Sequence, residues 1–405
     1  MNLVESSRCA RLRNALLLTI TVLAGLALSG VVLDVFALRS TGLSLAWRSG
    51  EDRYSTASVA RDWPISVRPV VDRLIAVSPT DMQWVRRQIQ PSLRAELNSS
   101  YCLHLLRVHG LEEALESASF PSGKTLMRLL TDDRAGAAYF GREPLVPTSA
   151  GVRYLTGDAQ AALEDRSLQW HRDQTLAAFG ELGIPLTHPI AVAGRTLALR
   201  EVLRDSLANF HLKQRELAWT ALAYALYLPP SREWINRYGE SYSFDLLVEE
   251  LLGRPPGGGS CGGTHDLYAL CILSRCDGQF PILSVAVRAR LNAHLQRYVD
   301  EAIRTQRSDG SWPANLNLDP ASRSTWSGPT PGGSESGGVT MTGHLAEWFL
   351  YLPADLRPAD TDGVLRAAGR WLNDALHAAG EDDKTRNFCP FSHATCVLRH
   401  LQFVP

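Results

Sequence analysis

Three stretches of this chain set a small-residue turn ahead of a histidine that is expected to open an apolar helix. The first is Gly257-Gly258-Gly259-Ser260-Cys261-Gly262-Gly263-Thr264-His265, followed by Asp-Leu-Tyr-Ala-Leu. The second is Gly337-Gly338-Val339-Thr340-Met341-Thr342-Gly343-His344, followed by Leu-Ala-Glu-Trp-Phe-Leu. A weaker copy runs Cys389-Pro390-Phe391-Ser392-His393 into Ala-Thr-Cys-Val-Leu. Cys261 stands between glycines, where backbone amides can approach a ligand closely. It also precedes a helix N-terminus, whose partial positive charge favours thiolate. His265 lies one turn further on and can act as a base or share a metal. If the three helices converge, Cys261, His265, His344 and His393 supply nitrogen and sulfur ligands of the kind that suit zinc. Glu347 follows His344 by one helical turn and can orient a histidine from behind. Cys261, His265, His344 and Glu347 are therefore the candidate catalytic groups. The competing reading is structural: each histidine bonds local backbone, and Cys261 is a small residue in a tight turn.

These residues need elements to carry them, and from Asp158 onward the hydrophobic pattern reads as helical throughout. Runs at 158–182, 196–210, 214–228, 243–252, 264–276, 282–306, 342–352, 362–377 and 391–403 follow one another, with no alternating strand pattern between them. Gln214 to Leu228 and Thr264 to Cys276 are apolar on every side, whereas Ile282 to Gln306 and Asp362 to His377 are amphipathic. An apolar helix is buried all round, and an amphipathic one covers it. Alternation of the two types is the signature of stacked helical hairpins.

Residues 306–312, Gln-Arg-Ser-Asp-Gly-Ser-Trp, close the long amphipathic helix at 282–306. Gly310 lets the chain turn there, Asp309 can cap neighbouring amides, Gln306 can bond carbonyls at the helix end, and Trp312 can stack over the turn. The stretch resembles the Q-x-x-D-G-S-W repeat of squalene and hopene cyclases and of protein prenyltransferase β subunits. That resemblance, extending over about residues 155–405, implies an all-α fold of the α/α-toroid type, with inner and outer helices closing into a ring. It also implies a site at the ring centre, where prenyltransferases and lanthionine cyclases hold zinc with Cys and His. The chain departs from those families in detail. It has no Asp-x-Asp-Asp acid, so squalene-type cyclisation is disfavoured. It has neither the prenyltransferase Asp-x-Cys nor the lanthionine-cyclase Cys-His pair, and no Gln follows Cys261 to form an internal thioester.

Other polar residues are placed to line a cavity: Asn209, His211 and Gln214 at a helix–helix turn, and Glu216, Trp219 and Glu347 on otherwise apolar helices. His171, Arg172 and Asp173 read as surface. Ser122-Gly123-Lys124-Thr125 superficially resembles a phosphate-binding loop but reads better as a helix cap, because Ala118 replaces the first glycine.

The N-terminus is a separate matter. Arg8, Arg11 and Arg13 precede the uncharged run Ala15 to Leu33, which is close to the roughly 20 residues that span a bilayer. The expected organisation is a basic cytoplasmic leader at 1–14, a transmembrane helix or signal at 15–38 and a linker at 39–75. A mixed region at 76–150 and the toroid at 151–405 follow. The basic flank puts the globular part outside the cytoplasm, anchored to the membrane or, if Ala27-Leu28-Ser29 is cleaved, secreted. In that compartment six of the seven cysteines could pair, although Cys271 and Cys396 fall in apolar stretches that suit core packing. With a formal charge of −1 there is no field to recruit nucleic acid. The membrane and an unidentified substrate or protein ligand are the expected partners. The function expected is an extracytoplasmic enzyme with a Cys/His site at the ring centre; the alternative is a binding or scaffold module on the same fold.

Overall fold

The structure, a computed structural model, describes residues 60–70, 75–76, 97–111, 122–157, 161, 164–254, 260–314, 334–380, 384 and 388–403. The basic leader, the apolar run at 15–33, most of the linker and glycines 257–259 lie outside those residues. Among the described residues no helix is long and apolar enough to cross a membrane. By its internal contacts the chain divides into residues 1–53 and 54–405, and everything below belongs to the second unit.

That unit is mostly helical. Six helices form its interior: α1 (Ser99–His109), α4 (Gln174–Glu181), α6 (Leu217–Tyr227), α8 (Thr264–Gln279), α10 (Ser334–Leu350) and α12 (Phe388–Leu401). Each packs on the next in that order, and α12 packs back on α1, so the series closes. Every residue of α6 is buried, as an all-round apolar sequence requires. Amphipathic helices cover the outside. Helix α2 (Gly123–Thr131) lies on α1, α7 (Phe244–Leu252) and α9 (Val285–Thr305) lie on α8, and α11 (Thr361–Ala378) lies on α10 and α12. The remaining helices are α3 (Asp133–Phe140) and α5 (Arg200–Ala208).

The region at 76–150 is part of this architecture, because α1 is one of the six interior helices and closes the cycle. The helix cap at Ser122 forms as expected, its hydroxyl accepting from the Thr125 amide. The second half of the chain is not helical throughout. Antiparallel hairpins pair β4 (Pro189–Val192) with β5 (Arg195–Ala198), and β6 (Glu233–Ile235) with β7 (Ser241–Ser243). Ala193-Gly194 makes the first hairpin turn with positive φ at both residues, the geometry that matches strand twist. These strands are too short for alternation to register as a pattern. The other pairs are β2 (Leu145–Pro147) with β3 (Val152–Tyr154), and β1 (Ile75–Ala76) with β8 (Gln402–Phe403). The expected helix over 158–182 is interrupted: residues 165–173 are not helical, and α4 occupies its C-terminal end. Asp173, at φ 58°, breaks the run just before it.

The turn after α9 is built as its residue types dictate. Gln306 donates from Nε2 to the carbonyls of Gly310 and, across to α11, Val364, both at 3.0 Å. Asp309 accepts from the Ser311 amide and hydroxyl at 2.9 and 2.8 Å. Trp312 is fully buried and donates from Nε1 to the Ala302 carbonyl at 2.7 Å. Gly310 sits at φ +94°, and a Cβ there would lie 2.3 Å from the Ala367 carbonyl, so glycine is required on both counts. The motif thus ties one outer helix to the next.

Candidate metal centre

Only the first of the three turn–histidine units forms as such. A short 3-10 turn at Ser260–Gly263 leads into α8, and His265 is the second residue of that helix. Gly337-Gly338 and Gly343 are instead inside α10, which begins at Ser334, so His344 lies in its third turn. His393 likewise lies in the second turn of α12. Gly338 and Gly343 serve close packing rather than turning. A Cβ on Gly343 would meet the Ala394 amide at 3.3 Å and His393 Cβ at 3.4 Å. Its absence lets α10 and α12 approach until the rings of His344 and His393 stand 3.9 Å apart.

The convergence is wider than the sequence suggested. Five imidazoles form a continuous row: His171 to His265 at 5.3 Å, His265 to His344 at 5.3 Å, His344 to His393 at 3.9 Å, and His393 to His104 at 5.0 Å between centroids. Their carriers are the segment leading into α4, then α8, α10, α12 and α1. The sixth interior helix, α6, brings Glu216 at its N-cap, 3.3 Å from His171 Nδ1. Three non-glycine residues with left-handed backbone surround the row: Asp173 (φ 58°), Glu216 (φ 59°) and Cys261 (φ 52°). Such strain is kept where surrounding structure imposes it, and it collects at functional sites.

Three groups of side chains have ligand atoms close enough to share a cation, all within 4.8 Å of one another in each group. They are Cys261 with His265 and His344, His104 with Cys389 and His393, and His171 with Glu216 and His265. The sequence-derived set Cys261, His265 and His344 therefore comes together. His393, expected as a fourth ligand of that set, belongs to the adjacent group. His171, read as a surface residue, and Glu216 belong to the third.

The protonation of the row follows from its partners. Thr340 O can only accept, so the Nδ1 of His344, 2.8 Å away, carries the proton. Glu347 is 2.6 Å from His393 Nδ1. Burial alone would raise the Glu347 carboxyl, but Arg107 and His393 hold it well below the usual range, so it too can only accept. In the neutral ring each Nε2 then keeps a free lone pair. Both Nε2 atoms are buried without a hydrogen-bond partner, as is His265 Nδ1. Relative exposures are 4% for His344 and 2% for His393, so bulk water does not satisfy their Nε2 atoms. Buried imidazole nitrogens with free lone pairs are what a metal ion needs, and their lack of partners is the expected signature of an unaccounted ligand.

Electrostatics keep most of the row in its ligating form. Burial, followed by the neighbouring rings, pushes His104 and His265 well below the ordinary histidine value. Burial and His344 push His393 down to about 4. Burial would lower His344 also, but Cys261 beside it raises its pKa. Burial and then the nearby Cys261 push the Cys389 thiol well up, a preference that a bound cation reverses by taking the thiolate.

Behind the row lies a chain of charged groups. Arg107 NH2 donates to Glu347 at 2.6 Å, and its Nε meets Glu181 at 2.9 Å. Tyr268 closes the chain with a short hydrogen bond from its hydroxyl to Glu181. Glu347 was expected to orient a histidine, and it bonds His393 of the neighbouring helix rather than His344 of its own.

A cavity of about 610 Å³ reaches Glu216 from one side, lined among others by Arg153, Trp170, Arg172, Gln214 and Glu216. Of the turn residues expected to line a cavity, His211 and Gln214 do so. Asn209 instead bonds Asp205. Trp219 stacks on His171 with ring centroids 5.7 Å apart. Asp173 is buried and accepts from Ser206 and Thr220.

His104, Cys389 and Arg107 were not singled out as ligands or supports from sequence. One signal was present: Cys102-Leu103-His104-Leu105-Leu106 sets a histidine in an apolar helical run, as around His344. All six cysteines among the described residues are free, with Cys102, Cys271, Cys276 and Cys396 buried in the core.

No family model matches the chain, and no curated protein or solved structure matches it either.

Proposed function

We propose that this chain is a metalloenzyme built on an α/α-toroid, with zinc held at the ring centre by Cys261, His265 and His344. The closed cycle of six interior helices supports the toroid reading. The observation that carries the metal reading is the set of buried imidazole nitrogens that have no partner, beside a thiol, at ligand spacing. Three protein ligands leave a coordination position open, which is the arrangement of catalytic rather than structural zinc. Bound there, the ion supplies a Lewis acid and an activated water, and hydrolysis is the reaction class this favours.

The chain's own residues prepare that chemistry. Thr340 fixes the tautomer and rotation of His344. Cys261 contributes a sulfur ligand to a site otherwise made of imidazoles. The cavity beside Glu216 gives a substrate a route toward the row from the side of His171. The N-terminal apolar run with its basic flank supports a membrane-anchored protein whose globular part faces out of the cytoplasm. The core thiols are compatible with that setting, because burial raises those of Cys102 and Cys271 above the ordinary value and keeps them protonated.

The test is elemental analysis of the purified full-length protein. At least one zinc per chain is expected, and one equivalent fewer in a folded Cys261→Ser variant. Cobalt substitution then tests the open position: azide or imidazole is expected to change the cobalt spectrum. A metal-free protein that takes up neither ion overturns the reading.

A further inference from the structure

Resting on the metal reading above, the geometry points to a second site, and we propose that His104, Cys389 and His393 bind a second divalent cation of the zinc class. The helical ring then holds two ions. The two ligand sets share no residue, so one ion does not exclude the other. His393 cannot simply be a further ligand of the first ion, because it does not fall within ligand distance of all of Cys261, His265 and His344. Its Nε2 nevertheless has no partner, in a side chain that is 2% exposed.

The second set has its own support. Glu347 holds the Nδ1 proton of His393, the carboxylate–histidine–metal arrangement found behind many metal sites. Arg107 holds Glu347 in turn. The ligands come from α1 and α12, the two helices whose contact closes the ring, so an ion there would bind the beginning of the helical series to its end. Each ligand set also carries its own thiol, Cys261 in one and Cys389 in the other, so each ion has a sulfur ligand to itself. Paired metals of this kind can clamp both the attacking and the leaving oxygen of a displacement. The proposal therefore narrows the substrate to a phosphoester, whose attacking water and leaving group both meet phosphorus through oxygen.

The experiment is a cobalt titration of chelator-stripped full-length protein, with bound metal counted after dialysis and thiolate-to-cobalt absorption recorded. The wild type is expected to take two equivalents. Cys389→Ser and His104→Gln should each retain one, with the Cys261 band left in place. Cys261→Ser should retain one, with the Cys389 band left in place. Circular dichroism melts confirm folding, and the near-isosteric Cys389→Ser decides the matter if His104→Gln fails to fold. A single equivalent that Cys261→Ser abolishes and Cys389→Ser leaves intact would overturn the second site while the first stands. Failure of the wild type to bind any cobalt would remove both.

Discussion

Glu347 grips two elements of the ring at once, accepting from His393 Nδ1 and from Arg107, each at 2.6 Å. It is a carboxylate on α10 that sets the orientation of an imidazole on α12 and anchors a guanidinium on α1. Glu347→Gln keeps the shape but weakens both contacts. Metal affinity is expected to fall roughly 10–100-fold, the usual cost of losing such a partner. Competition against a chromogenic chelator measures it, and unchanged affinity would show that Glu347 serves the fold alone.

Arg107 is the only cation between Glu181 and Glu347 that the described ion pairs contain. Arg107→Met leaves Glu347 and Glu181 without their shared cation, each keeping one hydrogen bond, from His393 and Tyr268 respectively. A loss of about 3–5 kcal/mol is expected, as for breaking one side of a buried ion pair. Denaturant unfolding gives the value. A partial rescue by Glu181→Gln in the same chain would attribute the loss to charge rather than packing.

Cys261 separates stability from function. Its φ of 52° is costly for a side chain and free for glycine. Cys261→Gly in the metal-free state should raise stability by up to about 1–3 kcal/mol while abolishing metal uptake at its site. Destabilisation of the metal-free variant would mean that the thiol packs rather than ligates.

Two glycines should respond differently to alanine. At Gly310 the backbone is left-handed and the added carbon meets the Ala367 carbonyl, so Gly310→Ala should cost at least about 1–3 kcal/mol and lower the melting temperature sharply. At Gly343 the new contacts are only slightly tight, 3.3 and 3.4 Å. Gly343→Ala should cost about 1 kcal/mol or less in stability yet push α12 from α10. Metal affinity should therefore drop more than the melting temperature suggests.

Acid should weaken the fold partly through His400, away from the metal ligands. Burial and the adjacent Arg399 push its pKa down to about 4. The unfolded chain titrates near the ordinary value of about 6.5, so between these limits the unfolded state binds the extra proton. Its contribution is intact above about pH 6.5 and is lost as pH falls towards 4. Melting curves across that window should be flatter for His400→Gln than for the wild type.

How much of this was legible beforehand depended on range. The apolar character of α6 and α8, the amphipathic α9 and α11, and the turn at 306–312 follow from periodicity and local residue types, which act over a few residues. Short hairpins such as 189–198 escaped because four-residue strands carry too little alternation, and their turn chemistry resides in one dipeptide. The supposed turns at Gly337 and Gly343 show the opposite error. Glycine permits a turn and equally permits two helices to touch, and only the neighbour at 393–394 decides which applies.

The sequence by itself determined that helices apolar on all sides, such as α6 and α8, would be covered by amphipathic ones, that Cys261, His265 and His344 had the right chemistry, and that Glu347 was placed to orient a histidine. The tertiary structure alone decided which histidine that was, that His104 and Cys389 join the row, and that His393 sits with them. These are choices between residues hundreds of positions apart. They depend on which helix faces follow one another around the ring and how closely small residues let them approach, and neither quantity is written in any local stretch of chain.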